Sequence, residues 1–193
     1  MRLYQQADPS APATLVSLLS PQLLRFFRFN AASREQAEDL LQETWLKIHR
    51  MRHTWRSGER VLPWVYAIAH HVRIDSYRRT RRLASREAPI DSVPDPPSAQ
   101  SGLDALSFES MVATLPDGQR EVITMLKSVG MTVEEVALAT SSTVGAVKLK
   151  AHRAYERLRE VIGAPSRVKS KEAPAAKPKS ASASPGRHKD GAL

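Results

Sequence analysis

Apolar side chains recur at steps of three and four in several stretches of this chain, the spacing that gathers them on one face of a helix. In the first stretch Ala37, Leu41, Thr44, Ile48 and Met51 follow one another at four, three, four and three, predicting a helix from about Arg34 to His53 with this stripe inward. Val61, Val65, Ile68 and Val72 form the stripe of a second long helix, which ends in Arg78, Arg79, Arg81 and Arg82. Val133, Val136 and Ala137 make a third, shorter apolar face, and Val144, Val147, Ala151, Ala154 and Leu158 a fourth. Thr132 followed three residues later by Glu135 predicts a capping box at the start of the third helix. The row Thr140, Ser141, Ser142, Thr143 supplies small hydroxyl residues able to turn the chain and cap the fourth. Two short helices around a tight turn make 131–159 a candidate helix-turn-helix. The outward side of its second helix is left to Ala146, Leu149, Lys150 and Arg153, flanked by Lys148 and His152. Small and basic groups on such a helix suit a DNA major groove, although the same spacing also fits a surface hairpin with a solvated basic face.

Charge divides the chain further. From Leu46 to Arg82 there are ten basic residues against Glu59 and Asp75, whereas 84–110 carry Arg86 against five acidic residues and include the run PIDSVPDPPSAQSG. The latter reads as an acidic, extended linker. The segment 164–193 is Ala, Lys, Pro and Ser with almost no large apolar residue, as in a disordered basic tail. The expected organisation is an N-terminal extension (1–14), a helical domain (15–83), the flexible linker (84–102), a second helical domain with the helix-turn-helix (103–163), and the tail (164–193). The fold class is all-α, with two small helical domains.

Composition restricts what these units can do. The 193 residues are 41% hydrophobic, enough for one modest core or two small ones, and carry a formal net charge of +9, which favours a polyanionic partner. Seven basic residues of the tail, against Glu172 and Asp190, account for more than half of that charge, so the total says little about a specific site. Without cysteine there is no disulfide framework, thiol nucleophile or Cys-ligated zinc. The N-terminal apolar run is too short for a secretory signal and no segment reaches membrane-spanning length, so the expected location is cytoplasmic, without membrane insertion. His49 and His53 stand one helical turn apart and His70 adjoins His71, but no acidic ligand converges on either pair, and no metal or other cofactor is expected. No nucleophile, paired-carboxylate site or phosphate-cradling glycine loop points to an enzyme.

Two further faces have chemical character. Asp39, Gln42, Glu43 and Leu46 lie together on the first long helix, a mix of acidic, amide and apolar groups suited to docking on a basic helical partner. Near the second, Trp55, Trp64, Tyr66 and Tyr77 are interleaved with arginines, a combination that can stack on bases and hold phosphates, although Trp64 by itself reads better as a core residue.

Taken in order, EDLLQETWLKIHRMR, LPWVYAIAHHVRIDSYRRTRR, the acidic Pro-rich gap, LPDGQREVITML and VGAVKLKAHRAYERLR resemble the bacterial extracytoplasmic-function (ECF) sigma factors of the sigma-70 family over about Leu15 to Gly163. The resemblance implies a non-enzymatic protein that binds core RNA polymerase, directs it to promoter DNA and answers to an anti-sigma factor. It assigns polymerase docking to Asp39, Leu40, Gln42, Glu43, Trp45, Leu46, Lys47 and Arg50. Minus-10 recognition falls to Trp64, His70, His71, Arg73, Arg78 and Arg79. Minus-35 recognition falls to Ala146, Lys148, Leu149, Lys150, His152 and Arg153. Two departures bear on targeting: His71 stands where many members have Asn, and Gly145-Ala146 and Leu149-Lys150 replace a common Gly-Thr and Ser-Arg. The alternative functions are a stand-alone helix-turn-helix regulator, which would not require the 39–52 docking surface, and a nucleic-acid-processing enzyme, which would require a catalytic constellation.

Overall fold

A computed structural model describes residues 1–87 and 108–163, and these form helices without a strand. Most of the expected linker and all of the expected tail lie outside them. In the first unit a single-turn helix α1 (Arg2–Gln5) precedes α2 (Ala11–Asn30), α3 (Arg34–Met51), a 3-10 turn (Arg52–Thr54) and α4 (Val61–Glu87). The second contains α5 (Phe108–Ala113), α6 (Asp117–Ile123), a π-helical turn (Thr124–Ser128), α7 (Val133–Ala139) and α8 (Val144–Ile162).

Each long helix is placed by the stripe it buries. On α3, Ala37, Thr44 and Ile48 are buried as predicted, with Leu40 in place of Leu41, which is only partly covered, and Met51 is exposed. The Ser33 hydroxyl caps this helix by accepting from the Gln36 N–H at 3.1 Å. α3 ends at Met51, and the chain tightens through the 3-10 turn to Trp55, which is buried. α4 buries Val65, Ile68 and Val72 as expected, together with Tyr66 and Ala69, and continues to Glu87, beyond the boundary expected at 83. Pro63 sits in its first turn, where a missing N–H breaks no intrahelical bond.

Phe26 is the hub of the first unit, with ring centroids 5.3 Å from both Phe27 and Tyr66 in edge-to-face geometry. All three side chains are fully buried with Leu23, Ile48, Val65 and Val72, and each such residue stabilises the fold by about 1.5–3 kcal/mol relative to exposure. The Tyr66 hydroxyl is enclosed without a hydrogen-bond partner, and burial pushes its pKa up. α1 folds back on this unit: Tyr4 is buried, and its hydroxyl meets His49 Nδ1 at 2.8 Å.

The second unit is built on Val112, Leu115, Val122, Ile123, Met125, Val136, Val147 and Ala154. It packs directly on the first. α7 lies along α4, α6 and the π-turn lie against α2, and the Phe29 and Phe108 rings meet edge to face at 5.8 Å. One continuous apolar core therefore runs through both units.

Candidate nucleic-acid and polymerase interfaces

The helix-turn-helix forms as its residues dictate. Thr132 Oγ1 accepts from the Glu135 N–H at 3.2 Å and Glu135 Oε2 accepts from the Thr132 N–H at 2.9 Å, completing the capping box of α7. Thr140 Oγ1 donates to the Val136 carbonyl, the Ser142 N–H bonds the Ala137 carbonyl, and Ser141 takes a left-handed conformation with φ 49°. Thr143 then caps α8 by accepting from the Ala146 N–H at 3.1 Å. With Val147, Ala151 and Ala154 buried, α8 presents Lys148, Leu149, Lys150, His152 and Arg153 to solvent, and Ala146 is partly covered. All six expected minus-35 residues thus share the outward side of one helix, and five of them are open.

The expected docking residues divide. Asp39, Gln42, Leu46 and Arg50 are exposed on α3, with Leu46 58% accessible. Glu43 and Lys47 join a charged seam between α3 and α4, in which Lys47 Nζ lies 3.1 Å from Asp75 and 3.7 Å from Glu43, and Arg79 lies 3.7 Å from Glu43. Trp45 is half-buried and its indole N–H donates to Ser20 Oγ, tying α3 to α2. Leu40 is a core residue, 3% exposed, because it completes the inward stripe of α3, and so lies beneath the face expected to dock.

The expected minus-10 residues divide more sharply. His71, Arg78 and Arg79 are exposed, and Trp64 is partly covered with its indole N–H on Thr54 Oγ1. His70 and Arg73 face the second unit and are covered by it. The Arg73 guanidinium grips Glu121 with two hydrogen bonds, Nε to Oε1 at 3.1 Å and Nη2 to Oε2 at 2.7 Å, and His70 Nδ1 donates to Oε1 at 2.7 Å. The three side chains are 11%, 12% and 5% exposed for His70, Arg73 and Glu121. Burial pushes the Glu121 carboxyl up, but the His70 hydrogen bond and the Arg73 charge outweigh it and hold the group below its usual range. Of the aromatics expected to stack on bases, Trp55 and Tyr66 are buried in the core; Tyr77 is exposed.

The sequence pattern pointed to no role for Glu121, and for Glu135 only to the capping box with Thr132. Glu135 Oε1 pairs with Arg60 at 2.5 Å, so the residue that caps α7 also anchors it near the start of α4. An acidic residue directly before the apolar run VITML was the available signal for Glu121; its partners lie 48 and 51 positions away. Among the described residues no group of three or more potential ligands could hold a metal ion, and no helix is long and apolar enough to cross a membrane.

Residues 15–83 match the family Sigma-70 region 2, and residues 105–158 match Sigma-70, region 4. The RNA polymerase sigma factor CarQ of Myxococcus xanthus is 33% identical over 174 residues, covering 84% of this chain and 95% of that protein. The ECF RNA polymerase sigma factor SigF of Caulobacter vibrioides is 31% identical, covering 79% and 86%. The chain is an ECF sigma factor. Its fold is shared by the sigma factor RpoE of Bartonella quintana, solved in complex with the anti-sigma factor NepR, with a TM-score of 0.66, 24% identity and coverage of 80% of this chain and 98% of that one. CnrH, solved with the cytosolic domain of CnrY, aligns at a TM-score of 0.61 and 22% identity over 85% and 97%. Region 2 of this sigma factor thus contains α3 and most of α4, and region 4 contains the helix-turn-helix.

Proposed function

We propose that this sigma factor works in the cytoplasm, binding core RNA polymerase through the exposed face of α3, engaging the minus-10 element with α4 and reading the minus-35 element with α8. The observation that carries the reading is the pairing of two surfaces on one family framework: an acidic, amide and apolar docking face, and a capped recognition helix with its basic side open. A stand-alone regulator needs the second and has no use for the first.

Each surface has a physical task. Asp39 and Gln42 offer acceptors to a basic partner, and Leu46 adds an apolar contact at the centre of the patch. Promoter melting costs stacking and pairing, so α4 must recover that energy by holding unstacked bases and their backbone, with His71, Tyr77, Arg78 and Arg79 the exposed groups available for it. On α8, Arg153 fits guanine or phosphate, and Leu149 offers only apolar contact, for example to a thymine methyl. Nucleotidyl transfer belongs to the polymerase; this chain makes no bond. A cognate anti-sigma factor fits the family, since the sigma factor RpoE of Bartonella quintana was solved in complex with one.

In vitro transcription with core polymerase, with and without this protein, on fragments of the source genome tests the proposal. Protein-dependent start sites are expected; their absence with every core tested sinks it.

A further inference from the structure

We infer that Glu121 is an internal plug of the DNA-binding face of α4, its carboxylate occupying the place of a nucleic-acid phosphate on Arg73 and His70, so that region 4 must leave α4 before that face can hold a strand. The inference rests on the proposed minus-10 role of α4.

The chemistry of the cluster supports this. Arg73 presents two parallel N–H groups to the two oxygens of Glu121, a fork that fits phosphate equally well, and His70 adds a third donor. The three donors cannot serve carboxylate and phosphate together. Burying three ionisable side chains is also an expensive way to join two domains already sharing an apolar core, and an ion cluster in such a place is better suited to a contact that must break. A second bridge has the same polarity. Arg60, near the start of α4, pairs with Glu135 of α7, so in both bridges region 2 supplies the base and region 4 the acid. The mimicry is confined to α4: Lys148, Lys150, His152 and Arg153 on α8 stay exposed in the same arrangement. The closed molecule therefore has an open duplex-reading helix and a strand-holding helix on which His70 and Arg73 are covered.

The test uses the full chain, which has no cysteine, so labels attach only where introduced. Dyes at Thr14→Cys and Arg157→Cys, both exposed, report domain separation by energy transfer. Glu121→Gln keeps the side-chain shape and removes the charge; it is expected to lower transfer and to tighten binding of dye-labelled single-stranded DNA of mixed sequence about tenfold. Adding Arg73→Ala should remove that gain. In a second arm that leaves Glu121 intact, Arg60→Cys and Glu135→Cys joined by a short bis-maleimide should bind single-stranded DNA less tightly than the same variant left unlinked. Unchanged transfer, or unchanged single-strand affinity in Glu121→Gln and in the cross-linked protein, overturns the plug. Transcription by wild-type protein with core polymerase then judges the sigma-factor reading separately, since that activity does not depend on Glu121 being the plug.

Discussion

Arg73→Met removes one partner of a buried charge while keeping most of the side chain's apolar volume. In the folded protein Glu121 is 5% exposed at its side chain and receives both hydrogen bonds of the Arg73 fork. Breaking such a pair from one side costs about 3–5 kcal/mol, because the remaining carboxylate stays buried without its counter-ion. Here His70 keeps its 2.7 Å hydrogen bond to Oε1, which places the expected loss at the low end, about 3 kcal/mol. Replacing Glu121 by Leu as well removes the stranded charge, and the double variant should recover to within about 1–2 kcal/mol of wild type. The assay is urea unfolding at neutral pH followed by circular dichroism, with the exposed Arg34–Glu38 pair as an internal control. That pair, 73% and 46% exposed, is screened by solvent and should show no resolvable loss on Arg34→Ala. A loss below about 1 kcal/mol for Arg73→Met, indistinguishable from the surface control, would refute the argument that the cluster is a desolvated ion pair.

Further expectations follow from other parts of the molecule. Because the Glu121 carboxyl is held below its usual value of 4.5, its contribution is fully present above that pH and is lost as pH falls through the lower, folded value. An acid titration followed by unfolding should therefore show a loss of stability beginning below about 4.5 that is flattened in Glu121→Gln, whose neutral amide still faces His70 and Arg73; identical acid limbs would count against it. Asp39→Arg with Gln42→Ala should weaken co-purification with core polymerase while leaving the circular dichroism spectrum unchanged, since both side chains are exposed; undiminished co-purification excludes the docking role. Arg153→Ala should lower discrimination at one minus-35 position by about 1–3 kcal/mol in competition binding, and an equal loss on every sequence would reassign Arg153 to phosphate.

What the sequence made legible was what neighbours along the chain determine. The capping box joins residues three apart, as does the Thr143 cap, and α8 buries its stripe where the spacing put it. On α3 the stripe held at Ala37, Thr44 and Ile48 but took Leu40 in place of Leu41, because both are apolar and a pattern of threes and fours cannot choose between them without knowing which way the helix is turned by α2 and α4. The aromatics near the arginines misled for a related reason. Trp55 and Tyr66 share a stretch with basic residues, yet Tyr66 points at Phe26, some forty positions earlier, and only tertiary packing decides the matter. The bridges from Glu121 and Glu135 to α4 are farther still from local pattern, since they depend on how two separately readable units meet.

The row of four hydroxyl residues between α7 and α8 looks like a run of synonyms, but its positions obey different alphabets. At Ser141 the left-handed φ of 49° favours Gly or Asn and penalises any β-branched residue, whereas at Thr143 the side-chain oxygen on the Ala146 N–H admits Ser, Asp or Asn and disfavours Ala. A descendant of this sequence that exchanged Ser141 for Thr would keep the composition and hydrophilicity of the turn and still misfit it. One that exchanged it for Gly would look less conservative on paper and lose nothing in the fold. Drift at this turn is thus constrained by backbone geometry at one residue and by hydrogen bonding two residues later: a slip of the row toward the C-terminus carries the β-branched Thr140 onto the left-handed position, and a slip toward the N-terminus carries Val144 onto the cap.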